Sequence, residues 1–433
     1  MTFSALGLAP ELVRGAANQG WHEPTPIQTM ALPPILARRD VRACAQTGSG
    51  KTAGFVLPLL QRLLDRPAAR SRGVSVLVLV PTRELAAQVG SVISTVSQGL
   101  PVRLKTAVVF GGVSINPQMM HLRGGADIVV ATPGRLLDLL AHNALRLDAV
   151  ETLVLDEADR MLDQGFAEEL NQLLRQMPAQ RQNLLFSATF PANVQTLAEG
   201  LLRDPICIDL AVGALEPPDI TQRAIRVDPN RRTPLLRHLL AEHHWERALV
   251  FVATKYAAEQ VADKLRRAGI DAEPFHGMLS QGKRNQVLAD FKAQRIRVVV
   301  STDLAGRGID ISALPVVVNF DLPRAAADYI HRIGRTGRAG ESGLAVSFVS
   351  ADAEAHFQLI EKRQGLQVPR EQIAGFEPTQ IVPTAPASAE GPPNTPNSPP
   401  DQPSNGGIKG HRPSKKDKLR AAAAALARKG GQP

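Results

Sequence analysis

The sequence predicts an α/β protein with two doubly wound parallel-sheet domains in tandem, followed by a tail without a regular fold. Three observations support this prediction. Short runs rich in Val, Leu and Ile alternate with longer segments of helical pattern, and uninterrupted apolar runs are typical of strands buried on both faces of a parallel sheet. The alternation stops at a Pro-containing stretch and then restarts. Near the C-terminal end the composition changes again.

The first set of predicted strands comprises residues 74–80, 107–110, 128–131, 152–155 and 183–186. The second set comprises residues 249–252, 298–301, 316–319 and 344–349. Between the two sets, Pro217 and Pro218 disfavour both helix and strand. We therefore expect a first domain over residues 1–210, a linker over 211–220 and a second domain over 221–377.

Residues 378–433 form the predicted tail. Residues 383–404 are rich in Pro, Ser, Asn and Gly and contain almost no large apolar residues. Such a segment cannot offset the entropy lost on ordering, so we predict that it is disordered. Residues 414–429 are basic and contain a run of alanines, a pattern that favours a marginal helix ended by Gly430 and Gly431.

The composition of the chain is that of a soluble globular protein, with 44% hydrophobic and 21% charged residues among 433. No apolar run approaches the ~18 residues of a membrane span, and the first residues lack the pattern of a secretion signal. The two cysteines, Cys44 and Cys207, have no metal-ligand spacing and make no disulfide framework. We expect a cytoplasmic protein that does not associate with membranes.

The net charge of +9 favours a polyanionic partner, but its distribution qualifies that inference. Residues 405–433 carry a net charge of +7, which leaves +2 for the other 404 residues. The excess charge is therefore a property of the tail. One interpretation is an electrostatic tether to RNA, and the alternative is a solubilising extension.

A glycine-rich loop follows the short apolar stretch 41–44 and precedes a segment, 53–64, that can be helical. Glycines let the backbone bend so that amide groups point at phosphate oxygens, a Lys can reach the β- and γ-phosphates, and a Thr hydroxyl can hold Mg²⁺. The pattern predicts a nucleoside-triphosphate site, although Ala stands where the strict pattern begins with Gly; the alternative is a chance glycine-rich turn. The loop consists of Ala45, Gln46, Thr47, Gly48, Ser49, Gly50, Lys51 and Thr52.

Acidic residues follow the predicted strand 152–155. Because ligands of parallel sheets bind at the carboxyl ends of the strands, Asp156 can hold the Mg²⁺ through water and Glu157 can orient and deprotonate the attacking water. The alternative is an acidic helix start that complements the helix dipole. Both motifs together, in this order, favour a working nucleotide site.

With these motifs the sequence resembles the DEAD-box RNA helicases, whose name is spelled by residues 156–159, and the resemblance covers roughly residues 3–379. It implies RecA-like domains, ATP-driven local unwinding of RNA duplexes or remodelling of RNA–protein complexes, and Asp159 in the nucleotide site. It also implies that the stretch W-H-E-P-T-P-I-Q reads adenine, with Trp21 and Thr25 in the motif. There Gln28 would bond the adenine edge and Phe3 would stack on the ring, so ATP is expected over GTP.

Several loops of the first half resemble the RNA-binding edge of the family. They would hold the RNA backbone without reading its bases, through N–H and O–H groups and Arg. These residues are Pro81, Thr82, Arg83, Gly111, Gly112, Thr132, Pro133, Gly134 and Arg135. Ser187 and Thr189 resemble the family's coupling motif, in which two hydroxyls bond the acidic loop.

In the second half, the resemblance implies RNA contacts for Thr254, Gln281, Arg284 and Thr302. It places Gly308 and Asp310 at the nucleotide, with Asp310 on the ribose; Gly306 stands where Ala is expected.

The stretch H-R-I-G-R-T-G-R resembles the family's arginine-finger motif. Charge grows on the transferred phosphoryl group, and a positioned guanidinium can stabilise it. The resemblance assigns this role to Arg335 and Arg338, with His331 bridging towards the acidic loop. A basic run is usually a solvated face, but the glycines between these arginines favour a close turn over a ligand.

The chain is most similar to the bacterial RhlE-type subgroup, on the stretches F-S-A-L-G-L-A-P, R-M-L-D-Q-G-F and Q-N-L-L-F-S-A-T-F. Aromatic residues make up 4% of the chain, so stacking on bases is not expected to dominate RNA binding. Ribosomal precursors and an RNA-decay complex are both partners that the resemblance allows. Two other functions stay open: an ATP-gated RNA clamp or chaperone with little unwinding, and a DNA helicase of the same superfamily.

Overall fold

The first half of the chain folds into a seven-stranded parallel sheet flanked by helices. Its strands are β1 Val41–Cys44, β2 Val76–Leu79, β3 Thr106–Val109, β4 Ile128–Ala131, β5 Thr152–Asp156, β6 Gln182–Ser187 and β7 Ile206–Asp209. Its helices are α1 Pro10–Ala17, α2 Pro26–Leu36, α3 Lys51–Leu64, α4 Arg83–Ser97, α5 Asn116–Leu122, α6 Pro133–Ala141, α7 Ala158–Asp163, α8 Ala167–Leu174 and α9 Ala192–Leu201. A short 3₁₀ helix, Ser4–Leu6, precedes α1.

The second half forms another seven-stranded parallel sheet. Its strands are β8 Ile220–Arg226, β9 Ala248–Val252, β10 Ala272–Phe275, β11 Val298–Thr302, β12 Val316–Asn319, β13 Gly343–Val349 and β14 Arg370–Glu371. Its described helices are α10 Arg232–Glu242, α11 Lys255–Arg266, α12 Gln281–Lys292, α13 Ala326–Ile333 and α14 Glu354–Gln364. Two 3₁₀ helices, Pro229–Arg231 and Ala351–Ala353, precede α10 and α14.

The two sheets have the same strand order. The first runs β3-β4-β2-β5-β6-β1-β7 and the second runs β10-β11-β9-β12-β13-β8-β14, so each strand of the second sheet takes the place of the strand seven before it. In the first sheet β1 lies between β6 and β7, with Val41 opposite Leu184 and Ile206. The two halves are thus repeats of one topology, and the prediction of tandem doubly wound α/β domains is confirmed.

The predicted strands all exist, with ends shifted by at most a few residues. The strands that we did not predict as such are polar or lie at sheet edges. The edge strand β7 exposes three of its four residues, β10 contains Pro274, and β8 (I-T-Q-R-A-I-R) carries polar residues along its length. Because these strands are exposed, polar or interrupted by Pro, they lack the continuous apolar run that marks a central strand.

Each sheet is covered by apolar clusters. In the first sheet, Val78 and Val154 face the cluster that includes α1 to α4, whereas the alternating neighbours Leu77 and Leu153 face the cluster that includes α6, α8 and α9. The same alternation divides the second sheet, where Val250 and Leu249 belong to different clusters. Successive side chains of a strand point to opposite faces, so a run of valines and leucines supplies both cores at once.

The computed structural model describes residues 2–45, 48–66, 73–210, 220–303, 314–337 and 342–379. All of them belong to one compact unit, Met1–Val382. Within these residues no helix is both long and apolar enough to cross a membrane. The predicted linker, apart from Ile220, and the tail from residue 380 onward lie outside the described residues, so the disorder and the basic helix predicted for the tail stay predictions.

Candidate functional site

The motif loops of the first domain all follow the carboxyl ends of its strands. The glycine-rich loop follows β1, the P-T-R-E stretch follows β2, Gly111 follows β3, Thr132 follows β4, and Glu157 follows β5. In a parallel sheet these ends share one edge. Chemistry that is scattered over more than a hundred residues of sequence therefore lies along one side of the sheet.

The glycine-rich loop is held by the helix that carries the predicted adenine-reading motif. Gly50 has φ of +95° and forms the N-cap of α3. The Gln28 side-chain amide donates to the Gly50 carbonyl at 3.1 Å, and the Thr25 hydroxyl donates to the Ser49 carbonyl at 2.9 Å. A Cβ at position 50 would lie 2.5 Å from Gln28 Nε2, so glycine is needed here both for backbone angle and for space.

Gln28 and Thr25 also cap α2. The Thr25 main-chain N–H donates to Gln28 Oε1 at 3.0 Å, which completes a capping box. Gln28 is 2% exposed. An amide keeps a second N–H and a second lone pair after these two bonds. The predicted contact of Gln28 with adenine would use those remaining positions, and it stays a prediction.

Lys51 opens α3 and its side chain is buried. Its Nζ donates to the Ala45 carbonyl at 2.5 Å. Burial lowers the pKa of Lys51, and the neighbouring carboxylates of Asp156 and Glu157 oppose that shift. The ammonium group thus lies in a pocket of negative charge at the start of the helix.

Asp156 ends β5 and is 2% exposed. Burial, and then repulsion by Glu157, raise its pKa to about 7, while Lys51 acts in the opposite direction. A buried carboxylate with this pKa gains from a nearby cation, because the cation restores the ionised form. Asp156 therefore suits the predicted role at Mg²⁺.

Glu157 adopts a left-handed backbone conformation, with φ of +55°, immediately before α7. Its Oε2 accepts a hydrogen bond from Nη1 of Arg160 at 2.7 Å, and the two side chains are 10% and 3% exposed. The carboxylate of the predicted base is thereby fixed by a buried ion pair. Sequence reasoning missed Arg160, although its spacing of three residues from Glu157 on one helical turn is a recognisable pairing signal.

Asp159 joins the acidic loop to the strand end of β6. The Thr189 hydroxyl donates to Asp159 Oδ2 at 2.8 Å and the Thr189 N–H donates to the same atom at 3.0 Å. The Asp159 N–H donates to Ser187 Oγ at 3.3 Å. Both hydroxyls of the predicted coupling motif thus contact the acidic loop.

Phe3, which is predicted to stack on adenine, lies in the core of the first domain. Its ring is 1% exposed and belongs to the same apolar cluster as Leu6 and Leu32. The predicted stacking of Phe3 on adenine stays a prediction. Trp21, from the same predicted motif, packs against this cluster and is partly buried.

A cavity of about 430 Å³ lies along the predicted RNA-binding edge. Predicted residues from four motifs line it, together with the side chains of Glu84, Asp138, Gln164 and Phe166. The predicted residues in its lining are Pro81, Thr82, Arg83, Gly111, Thr132, Gly134, Arg135 and Arg284. The other residues predicted to bind RNA are not among the described residues that line the cavity: Gly112, Pro133, Thr254, Gln281 and Thr302.

The cavity is bounded by both domains. Arg284 of α12 donates from Nη2 to Oε1 of Glu84 at 2.8 Å, and these side chains are 5% and 6% exposed. Gln281 Nε2 donates more weakly to the same oxygen, at 3.4 Å. The Glu84 carboxylate of the first domain therefore accepts from two side chains of the second domain.

Buried donors without a partner line this cavity. They are Nε and Nη1 of Arg135, Nε of Arg284 and Nε2 of Gln164, none of which has a hydrogen-bond partner among the described residues. Buried polar groups are nearly always paired in folded proteins. Four such donors in one cavity suit a ligand that offers only acceptors, as phosphate oxygens do.

The remaining predicted residues of the second domain are placed as follows. Thr254 is the exposed N-cap of α11, and Thr302 ends β11. His331 lies in α13, and Arg335 follows it with 6% exposure and a main-chain carbonyl that accepts from Leu314. Residues outside the described part of the chain are Gln46, Thr47, Gly306, Gly308, Asp310 and Arg338.

The fold and these loops define a class of protein: a P-loop nucleotide-binding protein built from two parallel-sheet domains. Residues 25–197 match the family model of the DEAD/DEAH box helicases, and residues 231–340 match that of the helicase conserved C-terminal domain. The chain is 40% identical over 361 residues to the DEAD-box ATP-dependent RNA helicase CshA of Geobacillus kaustophilus, a match that spans 83% of this chain and 76% of that protein. The chain belongs to the DEAD-box helicase family.

Solved structures agree with this assignment. S. cerevisiae Dbp5 bound to RNA and ADP BeF3 matches with a TM-score of 0.76 and 32% identity, over 86% of this chain and 95% of that one. Mss116p bound to ssRNA and AMP-PNP matches with a TM-score of 0.77 and 27% identity, over 86% of this chain and 80% of that one. These matches confirm the RecA-like architecture.

Proposed function

We propose that this protein is an ATP-dependent RNA helicase in which RNA-stimulated ATP hydrolysis closes two domains and opens RNA duplexes locally. Membership of the family and the relatives named above support the activity. The observation that carries the RNA half is the cavity that Glu84 and Arg284 line together with buried donors that lack a partner among the described residues. The same edge of the first sheet carries the nucleotide loops.

At the nucleotide end, Lys51 is the group that meets the β- and γ-phosphates. A phosphate would take the hydrogen bond that Lys51 now gives to Ala45, and it would offset the cost of burying the ammonium group. Thr52 and Asp156 would hold the Mg²⁺, largely through water, because that ion keeps most of its waters. When bound, the ion neutralises charge on the phosphates.

Glu157 is the residue that orients the attacking water and accepts its proton. A base has to be held in direction towards the water, and the ion pair with Arg160 holds this carboxylate. Arg335 and Arg338 are the proposed fingers that stabilise the charge on the transferred phosphoryl group, and His331 would bridge towards the acidic loop.

Asp159 links the nucleotide-binding end of the site to its RNA-binding end. Thr189 and Ser187 tie the acidic loop to the end of β6, so a shift of that loop during hydrolysis moves the strand end with it. Closure on one strand would bend it and expel its partner without long translocation. The remaining predicted RNA and nucleotide contacts keep the roles that the resemblance implies.

The domain division at residues 210 and 221 is part of the proposal. It is supported by the two sheets, because the last strand of the first sheet is β7 and the first strand of the second sheet is β8.

A cytoplasmic location is proposed from the composition and the two free cysteines. The RhlE-type resemblance receives no support from the comparisons, in which relatives such as the Geobacillus kaustophilus protein carry the name CshA. Ribosomal precursors and an RNA-decay complex are the candidate partners.

The experiment compares ATP hydrolysis by the purified protein alone, with single-stranded RNA and with single-stranded DNA of the same sequence. We expect stimulation by RNA and much less by DNA. Equal rates with and without RNA would refute the proposal, and equal stimulation by DNA would favour a DNA helicase. A strand-displacement assay on a short RNA duplex then separates a helicase from an ATP-gated clamp, which would bind RNA without releasing the paired strand.

A further inference from the structure

A second polar cavity lies at the amino-terminal ends of the strands of the first sheet, whereas the nucleotide loops lie at the carboxyl ends. Its volume is about 430 Å³, and it is bounded by the beginnings of β2 and β5 and by the last turn of α3. The motif residues assigned to ATP or RNA do not occur in its described lining. Arginines and aliphatic side chains share the lining: Arg38, Arg62, Arg66, Leu59, Leu63 and Val76.

Arg62 is the central polar side chain of this cavity. Its Nη1 donates to Thr152 Oγ1 at 2.9 Å and also to Gln182 Oε1, two neutral acceptors at the starts of β5 and β6. Within the described residues Arg62 makes no ion pair, and its buried Nε has no hydrogen-bond partner. The guanidinium is thus anchored at one end by neutral groups while its charge lacks a counterion.

The neighbouring charges leave this guanidinium uncompensated. Arg66 is already paired with Glu151, at 3.0 Å, and the Asp65 carboxylate accepts from Gln61. Arg38, an exposed residue with φ of +59°, makes no ion pair with any residue that the structure describes. Burial lowers the pKa of Arg62, the charge of Arg38 adds to that shift, and Glu151 opposes it.

We propose that this cavity is a binding site for a small organic phosphate, with Arg62 and Arg38 holding the phosphate group. Arg62 is partly buried and its charge has no counterion among the described residues, so an oxyanion that accepts from its guanidinium group offsets the cost of that burial. The aliphatic walls formed by Leu59, Leu63 and Val76 would contact the apolar part of such a ligand. A ligand that combines both features fits the site better than a bare ion.

The site is separate from the nucleotide site but shares two elements with it. Lys51 begins α3 and Arg62 lies in its last turns, roughly 16 Å further along the helix. Thr152 begins β5 and Asp156 ends it, roughly 13 Å apart. Filling the nucleotide site therefore does not fill this cavity, which allows the two to be tested independently.

The test measures thermal unfolding of the full-length protein with ADP and Mg²⁺ at saturating concentration, so that the nucleotide site is occupied. Inorganic phosphate and phenyl phosphate are titrated at constant ionic strength. We expect both to raise the unfolding midpoint, by roughly 5 °C at a hundredfold excess over Kd. Phenyl phosphate should bind about tenfold more tightly than inorganic phosphate, because its ring meets the aliphatic walls.

Variants assign the effect to the cavity. Arg62→Met and Arg38→Met should abolish the phosphate-dependent shift, whereas Arg39→Met should keep it, because Arg39 pairs with Asp204 and does not line the cavity. If Arg62→Met fails to fold, Arg38→Met decides, since that side chain is exposed. No shift in the wild-type protein, or the same shift in Arg38→Met as in Arg39→Met, would overturn the proposal.

Discussion

Arg160 and Glu157 form a buried ion pair in which Nη1 of the arginine lies 2.7 Å from Oε2 of the glutamate. The pair fixes the carboxylate that we propose as the general base. The left-handed turn and this contact set the direction of Glu157, which stands between the end of β5 and the start of α7. Arg160 is thus a positioning residue for the hydrolysis of ATP.

Replacing Arg160 by Met should lower the kcat of RNA-stimulated ATP hydrolysis by on the order of tenfold to a hundredfold, because a misplaced base loses much of its effect. The KM for ATP should change little, since Arg160 does not lie in the phosphate-binding loop. Steady-state kinetics measure both quantities. Arg175→Met, on the exposed end of α8, is the matched control. A variant that raises KM at constant kcat would show that Arg160 serves nucleotide binding instead.

The raised pKa of Asp156 predicts a pH dependence of stability in the nucleotide-free protein. Its folded-state pKa of about 7 lies above the ordinary value of 3.8, so the folded state binds more protons than the unfolded state between these values. The contribution of Asp156 to stability is therefore largest below pH 4 and is lost as the pH rises to about 7. Urea unfolding of the wild type and of Asp156→Asn from pH 5 to pH 8 measures it. As the pH rises, the unfolding free energy of Asp156→Asn should increase relative to that of the wild type. A constant difference between the two proteins would contradict the raised pKa of Asp156.

The pair of Glu84 and Arg284 predicts coupling between the two domains. Glu84→Gln and Arg284→Met should each weaken RNA-stimulated ATP hydrolysis, because each removes one side of a buried contact across the cavity. The double variant should lose less than the two single losses combined, as expected of residues in direct contact. Stimulated rates of the four proteins complete the cycle. Losses that simply add would show that the contact does not operate during turnover.

The basic tail predicts a salt-dependent part of RNA binding. Deleting residues 405–433 removes a net charge of +7 and should weaken RNA binding at low salt. The slope of log K against log salt should become shallower, by up to about 5 if every charge contacts a phosphate of a single strand. The unstimulated ATPase rate is the internal control and should not change. An unchanged slope would support the solubilising interpretation.

The sequence predicts the central strands well because burial on both faces requires continuous apolar runs, as in residues 76–79 and 298–300. Edge strands cannot be predicted in this way. Strand β7 exposes most of its residues, so its pattern does not differ from that of a loop. The repeated strand order of the two sheets also has no signature in the residues, because it depends on pairings between strands distant in sequence.

Within the candidate site, motifs that bind through backbone shape were predictable, since Gly50 has to be glycine for geometric reasons. Contacts made by residues next to the motifs were not predictable. The environment of Phe3 depends on tertiary packing, and its burial could not be foreseen from a motif. The role of Glu84 depends on a residue 200 positions further along the chain, Arg284, which only the fold brings within reach.

The central claim is that the two domains close on ATP and RNA together. Equilibrium RNA binding by Glu157→Gln tests it most directly, because this variant should bind ATP without hydrolysing it. We predict that its affinity for single-stranded RNA is higher with Mg²⁺ and ATP than with Mg²⁺ and ADP, since the closed state would be trapped. The same affinity with both nucleotides, or weaker binding with ATP, would contradict the account.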